Sequence, residues 1–70
     1  MERLPVTSTN VKSVGYDMDN QVLEIEFHKS GTYQYFNVPQ KIYDELIVAE
    51  SKGKYFSLNI KKAGFAYSKI

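Results

Sequence analysis

Seventy residues suffice for one domain and not for two, and a core of this size buries only ~60% of the unfolded surface, leaving scant volume for an internal catalytic cavity. The absence of cysteine excludes disulfides and Cys-ligated zinc and favours a reducing, cytoplasmic setting; 43% hydrophobic and 24% charged residues exclude a disordered chain. The net charge of +1 conceals a division: residues 1–50 hold four cations against all eight acids, and residues 51–70 hold five lysines and no acid.

Residues 1–9 open with mixed charge and an early proline and read as an N-terminal arm. Residues 11–18 follow as a strand whose end alternates, with Val14, Tyr16 and Met18 on one face and Ser13, Gly15 and Asp17 on the other. Asp19-Asn20 predicts a two-residue hairpin turn, since both residues tolerate positive φ. Residues 22–27 return with Leu23, Ile25 and Phe27 on one face and Glu24 and Glu26 on the other. This turn sets Tyr16 opposite Leu23 and Val14 opposite Ile25, which gathers the apolar residues on one face; a slip of one residue would scramble them.

Residues 28–31 form the second predicted turn, before a third strand over 32–38. Its register decides the fate of Tyr33 and Tyr35. If Phe27 pairs with Tyr33, both tyrosines join the apolar face; if Phe27 pairs with Thr32 or Gln34, they lie beside Glu24 and Glu26. Carboxylates flanking a base-stacking surface would repel phosphates, so the first arrangement is favoured and the tyrosines are expected in the core.

At Asn37-Val38-Pro39-Gln40 the period changes to that of a helix, with Asn37 as cap and Pro39 in the first turn. Ile42, Leu46 and Ala49 form the apolar stripe, flanked by Tyr43 and Ile47, with Lys41, Asp44, Glu45 and Lys52 opposite and Gly53 as the stop. Beyond it, Phe56 and Ile60 stand four apart, as in a helix, while Phe56, Leu58 and Ile60 alternate, as in a strand. The spacing favours a short second helix ending near Lys62, a turn at Ala63-Gly64 and a last strand over 65–69. The expected fold is α+β: a three-stranded antiparallel meander, one main helix, a short second helix and a C-terminal strand. The longest apolar run, 46–49, is far too short to span a bilayer, so no membrane partner is expected.

The inventory for catalysis is poor. His28 is the only histidine and sits in a turn, and no cysteine is present to share a metal with it. Glu24 and Glu26 are adequately explained as the polar face of a strand, and no Gly-rich phosphate loop follows a strand. The chain is read as non-catalytic, without cofactor or metal. What stands out is 14% aromatic residues, six of them tyrosine. In the acid-free tail, Lys52, Lys54, Tyr55, Lys61, Lys62, Tyr67 and Lys69 interleave cations with rings, a mixture suited to neutralising a nucleic-acid backbone and stacking on bases. Solvated surface lysines would give the same count. Two partner classes therefore follow: nucleic acid, RNA foremost, through the basic tail; or a protein docking on exposed aromatics such as Tyr55 or Tyr67.

The order Leu23-x-Ile25-x-Phe27, Gly31-x-Tyr33-x-Tyr35-x-x-Val38 and the run Ala49-Glu50-Ser51-Lys52-Gly53-Lys54-Tyr55-Phe56 with Ile60-Lys61 resembles the KTSC domain. The likeness covers residues 8–70 and includes Tyr33-Gln34-Tyr35 at its centre. That family is named for a C-terminal extension of some lysyl-tRNA synthetases and also occurs as small free-standing bacterial and phage proteins. The resemblance implies a small α+β domain with RNA binding suggested by the synthetase context, and it brings no catalytic residues. Ser57 stands where the family pattern has asparagine after Tyr-Phe, so no role is carried over to that position.

Overall fold

The computed structural model describes residues 3–70; Met1 and Glu2, the start of the expected arm, lie outside the described residues. Five strands form one antiparallel sheet in sequence order: β1 (Arg3–Pro5), β2 (Val11–Asp17), β3 (Val22–Phe27), β4 (Gly31–Tyr35) and β5 (Tyr67–Lys69). Two helices, α1 (Gln40–Val48) and α2 (Lys52–Phe56), lie between β4 and β5, and α2 runs on into one turn of π-helix, Ser57–Lys61. The expected meander, helices and C-terminal strand are all present. The sheet gains a fifth strand because Arg3–Pro5, read as arm, pairs with Ser13, Val14 and Gly15.

The first hairpin has the expected register, with Tyr16 opposite Leu23 and Val14 opposite Ile25. Its turn differs. The first strand stops one residue early, with Asp17 facing Val22, and the left-handed residue is Gln21 at φ 54°, with neither Asp19 nor Asn20 at positive φ. The Asp17 carboxylate organises this longer loop by accepting from the backbone N–H groups of Asp19 (3.0 Å) and Asn20 (3.3 Å) and from the Asn20 side chain (2.9 Å). The Asn20 side-chain bond is the main reason the Asp17 carboxyl titrates below its ordinary value. Met18, expected on the apolar face, falls in this loop and is exposed.

A bulge at Lys12 explains the start of β2. Val11 pairs with Phe27 and Ser13 with Glu26, so one residue is extra, and Val11 and Val14 are both fully buried although three apart. In the second hairpin Phe27 pairs with Gly31 and Tyr33 with Ile25, two residues away from the expected Phe27–Tyr33 pair. Gly31 at φ 92° closes a three-residue loop that a residue with a side chain would strain, and a two-residue shift leaves every side chain on its expected face. The strand expected over 32–38 ends at Tyr35, because Asn37 turns left-handed at φ 60°.

Asn37 is therefore not the helix cap. Pro39 holds that position with extended backbone and no side-chain bond. Gly53 is not the stop either: α1 ends at Val48, Ala49 is extended, and Gly53 lies inside α2, which Ser51 caps by accepting from the Lys54 N–H at 3.3 Å. A Cβ at residue 53 would come within 3.1 Å of the Asn10 side chain, so glycine here serves the close approach of α2 to the loop before β2. Val11, Val14, Leu23, Ile25 and Tyr35 from the sheet pack against Val38, Leu46, Phe56 and Ile60 as one core. Among the described residues, no helix is long and apolar enough to cross a membrane.

The other sheet face is not the solvated surface that the alternation implied. Glu24 is only 9% exposed. Arg3 from β1 reaches over the small residues Ser13 and Gly15, placing Nε 3.2 Å from Glu24 and an η nitrogen 3.4 Å from Glu26. Gln34 donates to Glu24 at 3.0 Å and the Ser13 hydroxyl to Glu26 at 3.0 Å. The edge strand is thus tied to the centre of the sheet by charge as well as by its backbone ladder.

Candidate nucleic-acid interface

The face of the sheet that carries the core continues past the helices at the β4–β5 end. There the alternation of β4 turns Tyr33 and Tyr35 toward the same side as Phe27 and Ile25, and β5 pairs Tyr67 with Tyr35 and Lys69 with Tyr33. The Tyr67 ring stacks on Tyr35 at 5.2 Å between centroids and leans on Tyr33 at 6.1 Å, while Lys69 Nζ lies 5.9 Å from the centre of the Tyr33 ring. Opposite them the π-turn presents Lys61, and Gly64 at φ 83° reverses the chain so that Phe65 returns along the rim.

Between these walls lies an open cleft of about 530 Å³, lined by the rings of Phe27, Tyr33, Tyr35, Phe56, Phe65 and Tyr67 together with Lys61. Phe56 forms its floor, edge-on to Phe27 (5.1 Å) and to Tyr35 (5.4 Å). A second cleft of about 420 Å³ adjoins it and shares Phe27, Ser30, Phe56 and Lys61, but its remaining walls are polar: Thr9, Asn10, His28, Lys29 and Ser57 beside Gly53. Among the described residues, no carboxylate lines either one. Glu24 and Glu26 belong to the opposite face, held by Arg3, so the repulsion that counted against stacking on Tyr33 and Tyr35 does not operate.

The tail residues expected to bind nucleic acid are distributed unevenly. Lys61 and Tyr67 line the aromatic cleft, and Lys69 lies beside it over the Tyr33 ring without lining it. Lys54 and Lys62 are exposed on α2 and just beyond the π-turn but line neither cleft. Lys52 donates to the Ala49 carbonyl at 2.9 Å and so closes the end of α1. Tyr55 is half-buried, and its hydroxyl donates to the Glu45 carboxylate at 2.5 Å, joining α2 to α1. Tyr33, Tyr35, Phe27 and Phe65 were missed as cleft residues. The favoured of the two registers gave the first three a shared face, but nothing in the sequence told that the helices would leave this end of it uncovered.

Burial and the proximity of Tyr67 and Tyr33 raise the Tyr35 phenol above its ordinary value, so it stays uncharged near neutrality and does not oppose an anion. Tyr55 shows the largest effect: burial, then the hydrogen bond to Glu45 and its charge, push its phenol from 10 to about 12. The unfolded chain releases this proton near pH 10 and the folded chain holds it, so stability should be fully present below pH 10 and decline between about 10 and 12. Urea unfolding across that range should show a steeper alkaline loss for the wild type than for Tyr55→Phe; identical slopes would mean that the Tyr55–Glu45 bond has no hold on the phenol's proton.

Comparison with known proteins agrees with this architecture. Residues 7–65 match the KTSC domain family. A KTSC domain protein from Yersinia pestis has a crystal structure that superposes with a TM-score of 0.94 at 45% identity, covering 99% of this chain and 96% of that one. An uncharacterized protein of Stutzerimonas stutzeri is 34% identical over the whole chain and 99% of its own length. A lysine–tRNA ligase of Nostoc punctiforme is 39% identical over 51 residues, which is 73% of this chain and 9% of the ligase. On its sequence, its sheet order and these likenesses, the chain belongs to the KTSC domain family.

Proposed function

We propose that this protein is a non-catalytic module that binds single-stranded RNA in the cytoplasm, with unpaired bases stacking in the aromatic cleft and phosphates meeting Lys61 and Lys69. The observation behind this reading is the composition of the cleft: six rings and a lysine, no acid among the described lining residues, and the carboxylates of the sheet kept on its far side. Unpaired bases offer the faces such rings need, and paired bases do not. Relatives named for joining lysine to tRNA contain a stretch similar to this chain, which supports RNA over DNA.

Titrating a fluorescent single-stranded RNA by anisotropy at several salt concentrations tests the reading. Neutralising three phosphates gives a log–log slope of roughly −2, and replacing Lys61 and Lys69 together by alanine should reduce it by roughly 1.4. Failure of the folded protein to bind at low salt would overturn the reading and leave exposed Tyr67 as a contact for a protein partner.

A further inference from the structure

We infer that the polar cleft is a phosphodiester subsite, taking the sugar–phosphate backbone next to a base stacked in the aromatic cleft; this rests on the RNA-binding reading above. The two clefts adjoin, because Phe27, Ser30, Phe56 and Lys61 wall both. They differ in chemistry as the two halves of a nucleotide differ. One side is walled by aromatic rings; the other carries the hydroxyl residues Thr9, Ser30 and Ser57, with Asn10, Lys29 and Lys61.

A phosphodiester carries one charge and only acceptors toward the protein, and these groups supply donors and positive charge with no competing carboxylate among the described lining residues. Several are also committed to the shape of the cleft. His28 holds the β3–β4 loop by placing Nε2 3.3 Å from the Ser8 carbonyl oxygen, leaving Lys29 and Ser30 at the rim. Gly53 lets α2 approach Asn10 closely, which sets the spacing between the two walls. Lys61 stands on the shared wall, where a single ammonium can serve a phosphate lying between the two clefts.

Two probes separate the halves: a short single-stranded RNA and an abasic strand of equal length, which keeps the backbone and lacks every base. Ser57 and Lys29 are exposed, so Ser57→Asp and Lys29→Ala leave the core alone. Ser57→Asp should weaken both probes about tenfold and Lys29→Ala about threefold. Tyr67→Ala should weaken the RNA about tenfold and leave the abasic strand unchanged. If Ser57→Asp and Lys29→Ala both bind as the wild type does while Tyr67→Ala loses RNA, the polar cleft is not on the backbone's path and the inference fails with the RNA reading intact. If the wild type binds neither probe, both fail. Thermal melting checks the fold of each variant, and should Ser57→Asp melt early, Lys29→Ala decides.

Discussion

Phe56→Ala should remove most of the stability of this protein. The side chain is 8% exposed, contacts Phe27 and Tyr35 edge-to-face at 5.1 and 5.4 Å, and is the ring on which α2 seats against the sheet. Deleting a buried phenyl ring costs about 3–5 kcal/mol, through lost transfer energy and the cavity that remains. A single core in a chain of 70 residues rarely supplies more than about 3–5 kcal/mol in total. Equilibrium urea unfolding of Phe56→Ala should therefore show a midpoint near zero denaturant or no folded baseline. Phe56→Leu should retain a cooperative transition, since it restores much of the volume. A loss below 1 kcal/mol for the alanine variant would mean that α2 is held by its ends and not by this ring.

The second large effect is expected at Arg3, a residue three positions from the start of the chain. Its guanidinium lies 3.2 Å from Glu24 and 3.4 Å from Glu26, and Glu24 has little access to water. An exposed ion pair contributes 0–1 kcal/mol, whereas removing one partner of a buried pair costs about 3–5 kcal/mol because the other charge is left without compensation. Arg3 is one-third exposed and Gln34 still donates to Glu24, so Arg3→Ala should fall between these limits, near 2 kcal/mol. Arg3→Lys should recover only part of this, since one ammonium cannot reproduce a planar fork facing two carboxylates. Urea denaturation measures both. If Arg3→Ala is as stable as the wild type, β1 is held by its backbone ladder alone.

Both residues mark the boundary of what could be read from the sequence. Phe56 was recognisable as apolar and four residues from Ile60. The π-turn after it, which brings Lys61 to both clefts, has no signature in the sequence. Arg3 was invisible as a structural residue, because three residues carrying a proline look like a tail until β2 supplies a partner. Glu24 and Glu26 were placed on the correct face by alternation. Their enclosure depends on Arg3 and on the small side chains of Ser13 and Gly15 across the strand, which is a pairing fact.

The tyrosines are the most instructive case. Tyr35 is 6% exposed within the core and Tyr33 packs half-buried against it, and both residues also line the aromatic cleft.

By itself, the sequence determined which residues share a face. Strand periodicity is local, so the meander, the register of the first hairpin and the common side of Tyr33 and Tyr35 follow from neighbours in the chain, while the register that puts Phe27 beside them does not. It also determined that positive charge without acids lies in the last twenty residues. Tertiary structure alone decided where the helices stop covering the sheet, which two of the five tail lysines reach the rings, and that Lys52 and Tyr55 are spent on joining α1 to α2. Those outcomes depend on distances between segments far apart in the chain, which no local pattern encodes.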